Sequence, residues 1–201
     1  MSEERAHRLI AAAFESPEAM SALLRAEPEL LESRTGLSET PLHFLAVENQ
    51  LSAVIVLAEC GAEINTLNSC GGTPLSEAAS LGYEEMVEYL LSRGARLRMP
   101  GQDEPTLLDA ARSGNARVVG LLLDAGAPID EQNDLRETAL HLAAEEDSRL
   151  AVLELLLGRG ADTSLRRIFD ETPLDVALGA NAQACAAALI AKGAPRGPGA
   201  A

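Results

Sequence analysis

Three histidines, three cysteines and several adjacent pairs of carboxylates are the residues of this sequence that could carry out chemistry. A histidine can shuttle a proton or hold a metal, a thiolate can attack a carbonyl carbon, and two facing carboxylates can share acid–base work. Each of these needs a partner at a set spacing. His7, His43 and His141 stand alone, and no Cys/His spacing of the kind that binds zinc occurs. The doublets Glu84-Glu85, Glu145-Glu146 and Asp170-Glu171 point neighbouring side chains in different directions, which suits a solvated face better than an acid–base pair. There is no glycine-rich phosphate loop behind a strand and no serine in a nucleophile elbow. These residues lead us to expect no catalytic residue, no metal ligand and no cofactor.

The elements that position them come from one copied stretch, Thr73 to Ala95. Thr73 offers a side-chain oxygen as a helix N-cap, and Pro74 suits the first helical position, where its missing N–H is no loss. Leu75, Ala78 and Ala79 give the short helix a face of small apolar residues, and Gly82 can take the left-handed conformation that ends it. Val87, Leu90 and Leu91 then recur at i, i+3, i+4 on a second helix, closed by Gly94. Two such helices cannot bury their apolar faces alone.

Repetition solves this. The first-helix leucines Leu42, Leu75, Leu107, Leu140 and Leu174 are spaced 33, 32, 33 and 34 residues apart. The pairs Gly61-Ala62, Gly94-Ala95, Gly126-Ala127, Gly160-Ala161 and Gly193-Ala194 recur in step. With Thr40-Pro41-Leu42-His43, Thr73-Pro74-Leu75 and Thr172-Pro173-Leu174, this period resembles the ankyrin repeat. The resemblance implies an all-α ankyrin-repeat solenoid of stacked helix-turn-helix units with finger loops. It also implies that the histidine of the Thr-Pro-Leu-His turn is structural, bonded near the start of the first helix. His43 and His141 would then lie three repeats apart, too far to share one ion.

On this reading residues 1–195 form a single domain. A degenerate cap covers 5–31, with polar Glu3, Glu4, Arg5, Glu18 and Arg25 facing out, and five repeats cover about 33–64, 66–97, 99–129, 131–163 and 164–194. Asn49 replaces the bend glycine in the first. The third departs most: its finger, Arg98 to Glu104, is one residue short, and Pro105-Thr106 inverts the usual order, so a distorted or mobile finger is expected. The fourth has an extra residue between Glu145 and Leu150 and should bulge there. The Ala-rich segment Ala182 to Ala191 ends the stack, and 196–201 reads as a disordered tail.

A net charge of −15, with Lys192 as the only lysine, excludes wrapping of nucleic acid and favours basic partners. The N-terminus is too polar for a secretory signal, and no apolar run reaches membrane-spanning length. An odd cysteine count argues against a disulfide framework. We therefore expect a cytoplasmic monomer, neither membrane-bound nor an enzyme.

What remains is surface. In ankyrin arrays partners usually dock on finger tips and the exposed ends of the first helices, which here select Leu37, Glu39, Val47, Glu48, Leu81, Glu104, Arg112, Leu135, Glu137, Glu145, Phe169 and Glu171. Glu39, Glu104, Glu137 and Glu171, each just before a first helix, should form an acidic column, and Leu37, Leu135 and Phe169 stand two residues earlier. The expected function is a non-catalytic protein-binding module for a basic or amphipathic protein on an acidic concave face. Two plainer readings stand beside it: helix starts attract acids through the macrodipole, and apolar fingers can pack on each other. Alternatives of other kinds are an inhibitor or immunity-type protein blocking the active site of a toxin or enzyme, a metal-dependent protein or enzyme, and a structural spacer.

Overall fold

The computed structural model describes residues 2–197, without the side chain of Ser2. Of the expected disordered tail, residues 198–201 lie outside the described residues, while Gly197 donates its N–H to Asp175 Oδ2 at 2.7 Å. Among the described residues the regular structure is all helical, and the chain divides into two compact units, Met1–Asp103 and Glu104–Ala201.

The first unit holds α1 (Ser2–Glu15), α2 (Pro17–Ala26), a 3-10 turn (Pro28–Leu30), α3 (Pro41–Val47), α4 (Leu51–Glu59), α5 (Pro74–Ser80) and α6 (Glu84–Ser92). Each hairpin packs its two helices together, while α1, α3 and α5 stack in one row and α2 packs on α4 behind. The second unit repeats the plan with α7 (Thr106–Ser113), α8 (Ala116–Asp124), α9 (Ala139–Ala143), a 3-10 turn (Asp147–Arg149), α10 (Leu150–Gly158), α11 (Pro173–Gly179) and α12 (Gln183–Ala191). There α7, α9 and α11 form the front row and α8, α10 and α12 the back.

Local chemistry explains these short helices. Thr40, Thr73, Thr138 and Thr172 each accept a hydrogen bond from the backbone N–H three residues on, and the side chain at that position, His43, Ser76, His141 or Asp175, returns a bond to the threonine N–H. The five first-helix leucines are at most 3 % exposed, and Leu57, Leu90, Leu122, Leu156 and Leu189 of the second helices are fully buried. Alanines 46, 78, 79, 110, 111, 143 and 177 of the front helices have no exposed surface, and such small side chains let packed backbones approach.

Departures fall where the sequence departs. Helix α7 has Pro105 at its N-cap and no side-chain capping bond. Swapping the pair, Pro105→Thr with Thr106→Pro, should restore the cap and raise stability by about 1 kcal/mol in urea unfolding; an unchanged midpoint would refute this account of α7. The short finger before it closes on itself: Met99 N–H donates to Gln102 Oε1 at 2.9 Å, Gln102 N–H to Met99 O at 3.1 Å, and the Gln102 side chain is buried.

The bends at Asn49, Gly82, Gly114 and Asn181 all have positive φ, whereas the α9–α10 bend uses the 3-10 turn to absorb its extra residue. That turn carries Asp147 to the start of α12, where Oδ1 accepts the Cys185 N–H at 3.0 Å. Helix α12 has only Ala182 at its own N-cap, so its cap is supplied from the preceding hairpin. The amide of Cys185, followed by those of Ala184 and Gln183, holds the Asp147 carboxyl below its ordinary value.

Candidate functional site

The histidines are accounted for first. His43 and His141 are buried at 0 % and 1 % exposure. His43 Nδ1 accepts the Thr40 N–H at 3.3 Å, which leaves Nε2–H to donate to Thr66 O at 3.1 Å and Gly72 O at 3.3 Å. His141 Nδ1 accepts the Thr138 N–H at 3.2 Å and Nε2–H donates to Glu171 O at 3.2 Å. Both imidazoles are thus held neutral with each ring nitrogen occupied; burial lowers the pKa of His43 to about 4 and that of His141 in the same direction. Each ties a first helix to the finger that follows. His7 is exposed on α1, and no cluster of three or more His, Cys, Asp or Glu that could hold a metal occurs among the described residues. Cys60 and Cys70 are exposed; Cys185 is buried, its thiol pushed up to about 11 by burial and by Asp147.

The fingers come next. Asn133 N–H donates to Glu137 O at 3.1 Å and Arg167 N–H to Glu171 O at 3.1 Å, each closing a tight hairpin whose last bend residue, Arg136 or Asp170, has φ near +60° (58° and 61°). Ser38 and Gly71 fill the same place in the first unit. At Gly71 a Cβ would fall 2.6 Å from the Asp103 side chain, which would have to swing aside, so glycine eases a conformation that Ser38, Arg136 and Asp170 also hold.

In the first unit Leu37 stands at a finger tip, 58 % exposed, and its carbonyl accepts the N–H and hydroxyl of Ser69 from the next finger at 3.0 and 2.8 Å. Glu39 is half-buried with its carboxylate on Thr35 Oγ1 at 3.1 Å. Val47 is half-buried, while Glu48 and Leu81 are exposed at the ends of α3 and α5.

In the second unit Glu104, Glu137 and Glu171 belong to one hydrogen-bonded ladder. Arg112 Nη1 bonds Glu104 Oε2 at 2.6 Å, and Asn133 Nδ2 donates to Glu104 Oε1 at 3.0 Å and to Glu137 Oε2 at 3.1 Å. Arg167 Nη1 then bonds Glu137 Oε1 at 3.2 Å and its Nε bonds Glu171 Oε2 at 2.6 Å. Glu137 is only 7 % exposed. The ladder neutralises much of its own charge: the hydrogen bond to Glu104 raises the Arg112 pKa, and for Arg167 burial pulls down but the bond to Glu171 prevails. Exposure passes to the tips, with Leu135 at 48 %, Ile168 at 46 % and Phe169 at 71 %. Ile168 N–H donates to Leu135 O at 3.0 Å, which sets these tips side by side, and the Arg167 guanidinium lies 5.8 Å from the Phe169 ring centroid.

Behind the ladder lies a cleft of about 470 Å³ lined by Glu145, Arg167, Glu171, Asp175, Val176, Gly179 and Ala180. It brings together Glu145 and Glu171, which sequence reasoning selected, with Arg167, Asp175 and Val176, which it did not. The four-residue spacing of Asn133 to Glu137 and of Arg167 to Glu171 was the available signal for the ladder; nothing local marked Ile168 as exposed. Asp175 Oδ2 accepts the N–H and hydroxyl of Thr172 at 2.9 and 2.7 Å, whereas Oδ1 is buried with no hydrogen-bond partner. Burial works against the charge of Asp175, yet these bonds outweigh it and its pKa is lowered.

A family model described as ankyrin repeats (3 copies) matches residues 9–100 and again 107–196. Among curated proteins, the E3 ubiquitin-protein ligase XBAT33 of Arabidopsis thaliana is 33 % identical over 175 residues, covering 81 % of this chain and 34 % of that protein. The nuclear factor NF-kappa-B p105 subunit of Gallus gallus is 29 % identical over 170 residues, covering 82 % of this chain and 17 % of its own. A transient receptor potential cation channel subfamily A member 1 homolog of Caenorhabditis elegans is 34 % identical over 133 residues, 65 % of this chain and 11 % of its own. The chain spans about a third or less of each of these relatives.

Proposed function

The chain belongs to the ankyrin-repeat family, whose repeats are generally protein–protein interaction modules, and from that premise we propose that it binds a protein partner with a basic or amphipathic surface. No helix among the described residues is long and apolar enough to cross a membrane. The proposed contacts are Leu37, Glu39, Val47, Glu48 and Leu81 in the first unit, and Glu104, Arg112, Leu135, Glu137, Glu145, Phe169 and Glu171 in the second. Within this set the exposed tips supply the contact, while Glu137 and its ladder keep the fingers in place.

The single observation that carries the reading is the row of apolar finger tips held out by an ionised, internally bonded ladder. A surface of this kind is already ordered, so little conformational freedom is lost when a partner docks on Leu135 or Phe169. The chain's charge of −15 speeds encounter with a cationic surface.

The test is affinity capture followed by kinetics on the purified partner. Glu48→Lys with Glu145→Lys should slow association by about tenfold at low salt, with the difference from the parent shrinking as salt is raised. Association rates that respond neither to salt nor to these reversals would overturn the acidic-surface mechanism.

A further inference from the structure

We infer that the second unit carries a docking site for one amphipathic segment of a protein partner, its apolar side chains seated on Leu135, Ile168 and Phe169 and an arginine or lysine entering the cleft behind the ladder. This rests on the protein-binding reading and assigns it a place and a chemistry.

Two independent features meet there. The first is the ridge. Aromatic residues are scarce in this chain, three Phe and two Tyr, yet Phe169 stands 71 % exposed at a finger tip, next to two half-exposed aliphatic side chains. Apolar area gathered in this way on an otherwise charged surface marks a contact face.

The second is the cleft, which shares Arg167 with the ladder beneath the ridge. Its walls hold three carboxylates, Glu145, Glu171 and Asp175, against the one guanidinium of Arg167, and that guanidinium is already engaged by Glu137 and Glu171. Arg149, outside the lining, pairs with Glu145 but is shared with Glu146, and Arg196 acts on Asp175, so five carboxylates (Glu137, Glu145, Glu146, Glu171 and Asp175) face three guanidinium groups and the wall stays net negative. Asp175 adds its negative charge to the wall, its Oδ2 held by Thr172 and Gly197 and its Oδ1 buried without a donor. Val176, Gly179 and Ala180 make the remaining wall small and apolar, a surface for the methylene stem of a long basic side chain. An acidic segment or a nucleic-acid phosphate would face like charge here, so the occupant is a basic protein segment.

The experiment is selection of random linear peptides against the whole chain, followed by fluorescence titration of the enriched sequences. Enriched peptides should share an arginine or lysine next to apolar residues, and norleucine at the basic position should weaken binding by about tenfold or more. Phe169→Ala removes the exposed ring. Gly179→Arg places a cation in the cleft at an exposed position where a Cβ meets no heavy atom within 4 Å, and its urea unfolding midpoint, expected to match the parent's, is measured alongside. Each variant should also weaken binding by about tenfold, while Leu37→Ala in the first unit should not. Peptides without a basic residue, or peptides indifferent to both variants, overturn the inference. If binding instead responds to Leu37→Ala or Leu81→Ala, this site is wrong and the protein-binding reading stands. No enrichment at all overturns the site, and if the chain also captures no protein from extracts the reading falls with it.

Discussion

Acidifying the folded chain from neutral pH to about 4 will cost roughly 3 kcal/mol of stability at His43 alone. His43 takes up a proton only near pH 4 when folded, because burial in the Thr40–Thr66–Gly72 pocket leaves no room for a second donor, whereas an unfolded histidine protonates near 6.5. Between those values the unfolded chain binds more protons than the folded one, so stability is fully present above 6.5 and drains away as the pH falls to 4. His141 adds a loss in the same direction. Easing of the chain's negative self-repulsion as the pH approaches its isoelectric point of about 4.5 works the other way. The effect is therefore read as a difference between two proteins. His43→Gln should be less stable than the parent at pH 7 but should lose much less on going to pH 4.5 in urea titrations. Parallel pH curves for the two would show that His43 is not the sensor. Asp147, Asp162 and Asp175, with pKa values lowered from 3.8, lose their contributions only below this window.

Removing Arg167 will be the most damaging single change on the fingers. Its guanidinium holds the carboxylates of Glu137 and Glu171, and Glu137 is 7 % exposed. Arg167→Met keeps the stem but strands a buried carboxylate, to which Asn133 Nδ2 still donates. Breaking a fully buried pair costs about 3–5 kcal/mol; with the Arg167 side chain one-fifth exposed, we expect about 2 kcal/mol. Glu137→Gln should cost less, because it leaves no net buried charge. Adding Glu137→Gln to Arg167→Met should recover part of the loss, which a double-mutant cycle will show. Additive costs would mean the ladder is a row of independent surface pairs. By contrast, removing Phe169, 71 % exposed beside the Arg167 guanidinium, should leave stability unchanged while affecting binding.

The two halves of this molecule's logic differ in how far they reach along the chain. Helix pairs, their caps and their buried leucines depend on residues three to seven apart, so the Thr-Pro-Leu starts, the Gly-Ala ends and the inverted Pro105-Thr106 could all be read from spacing. For His43 and His141 only the bond to the preceding cap is local; their structural role followed from the ankyrin resemblance, and Nε2 reaches carbonyls 23 to 30 residues on. The ladder is different. Glu104 meets Asn133, and Glu137 meets Arg167, across neighbouring fingers about thirty residues apart. A glutamate's identity does not say whether a guanidinium from the next finger will reach it, so the acidic column was visible but its pairing and the burial of Glu137 were not. Asp147 capping α12 from the preceding hairpin is hidden for the same reason.

The amino-acid sequence by itself determined the unit that is copied, where each helix starts and stops, and which residues are buried between hairpins, since all of these follow from short-range periodicity. Tertiary packing alone decided which carboxylates are spent on holding fingers together and which apolar tips are left facing water, because both depend on what the neighbouring hairpin brings within a few ångströms.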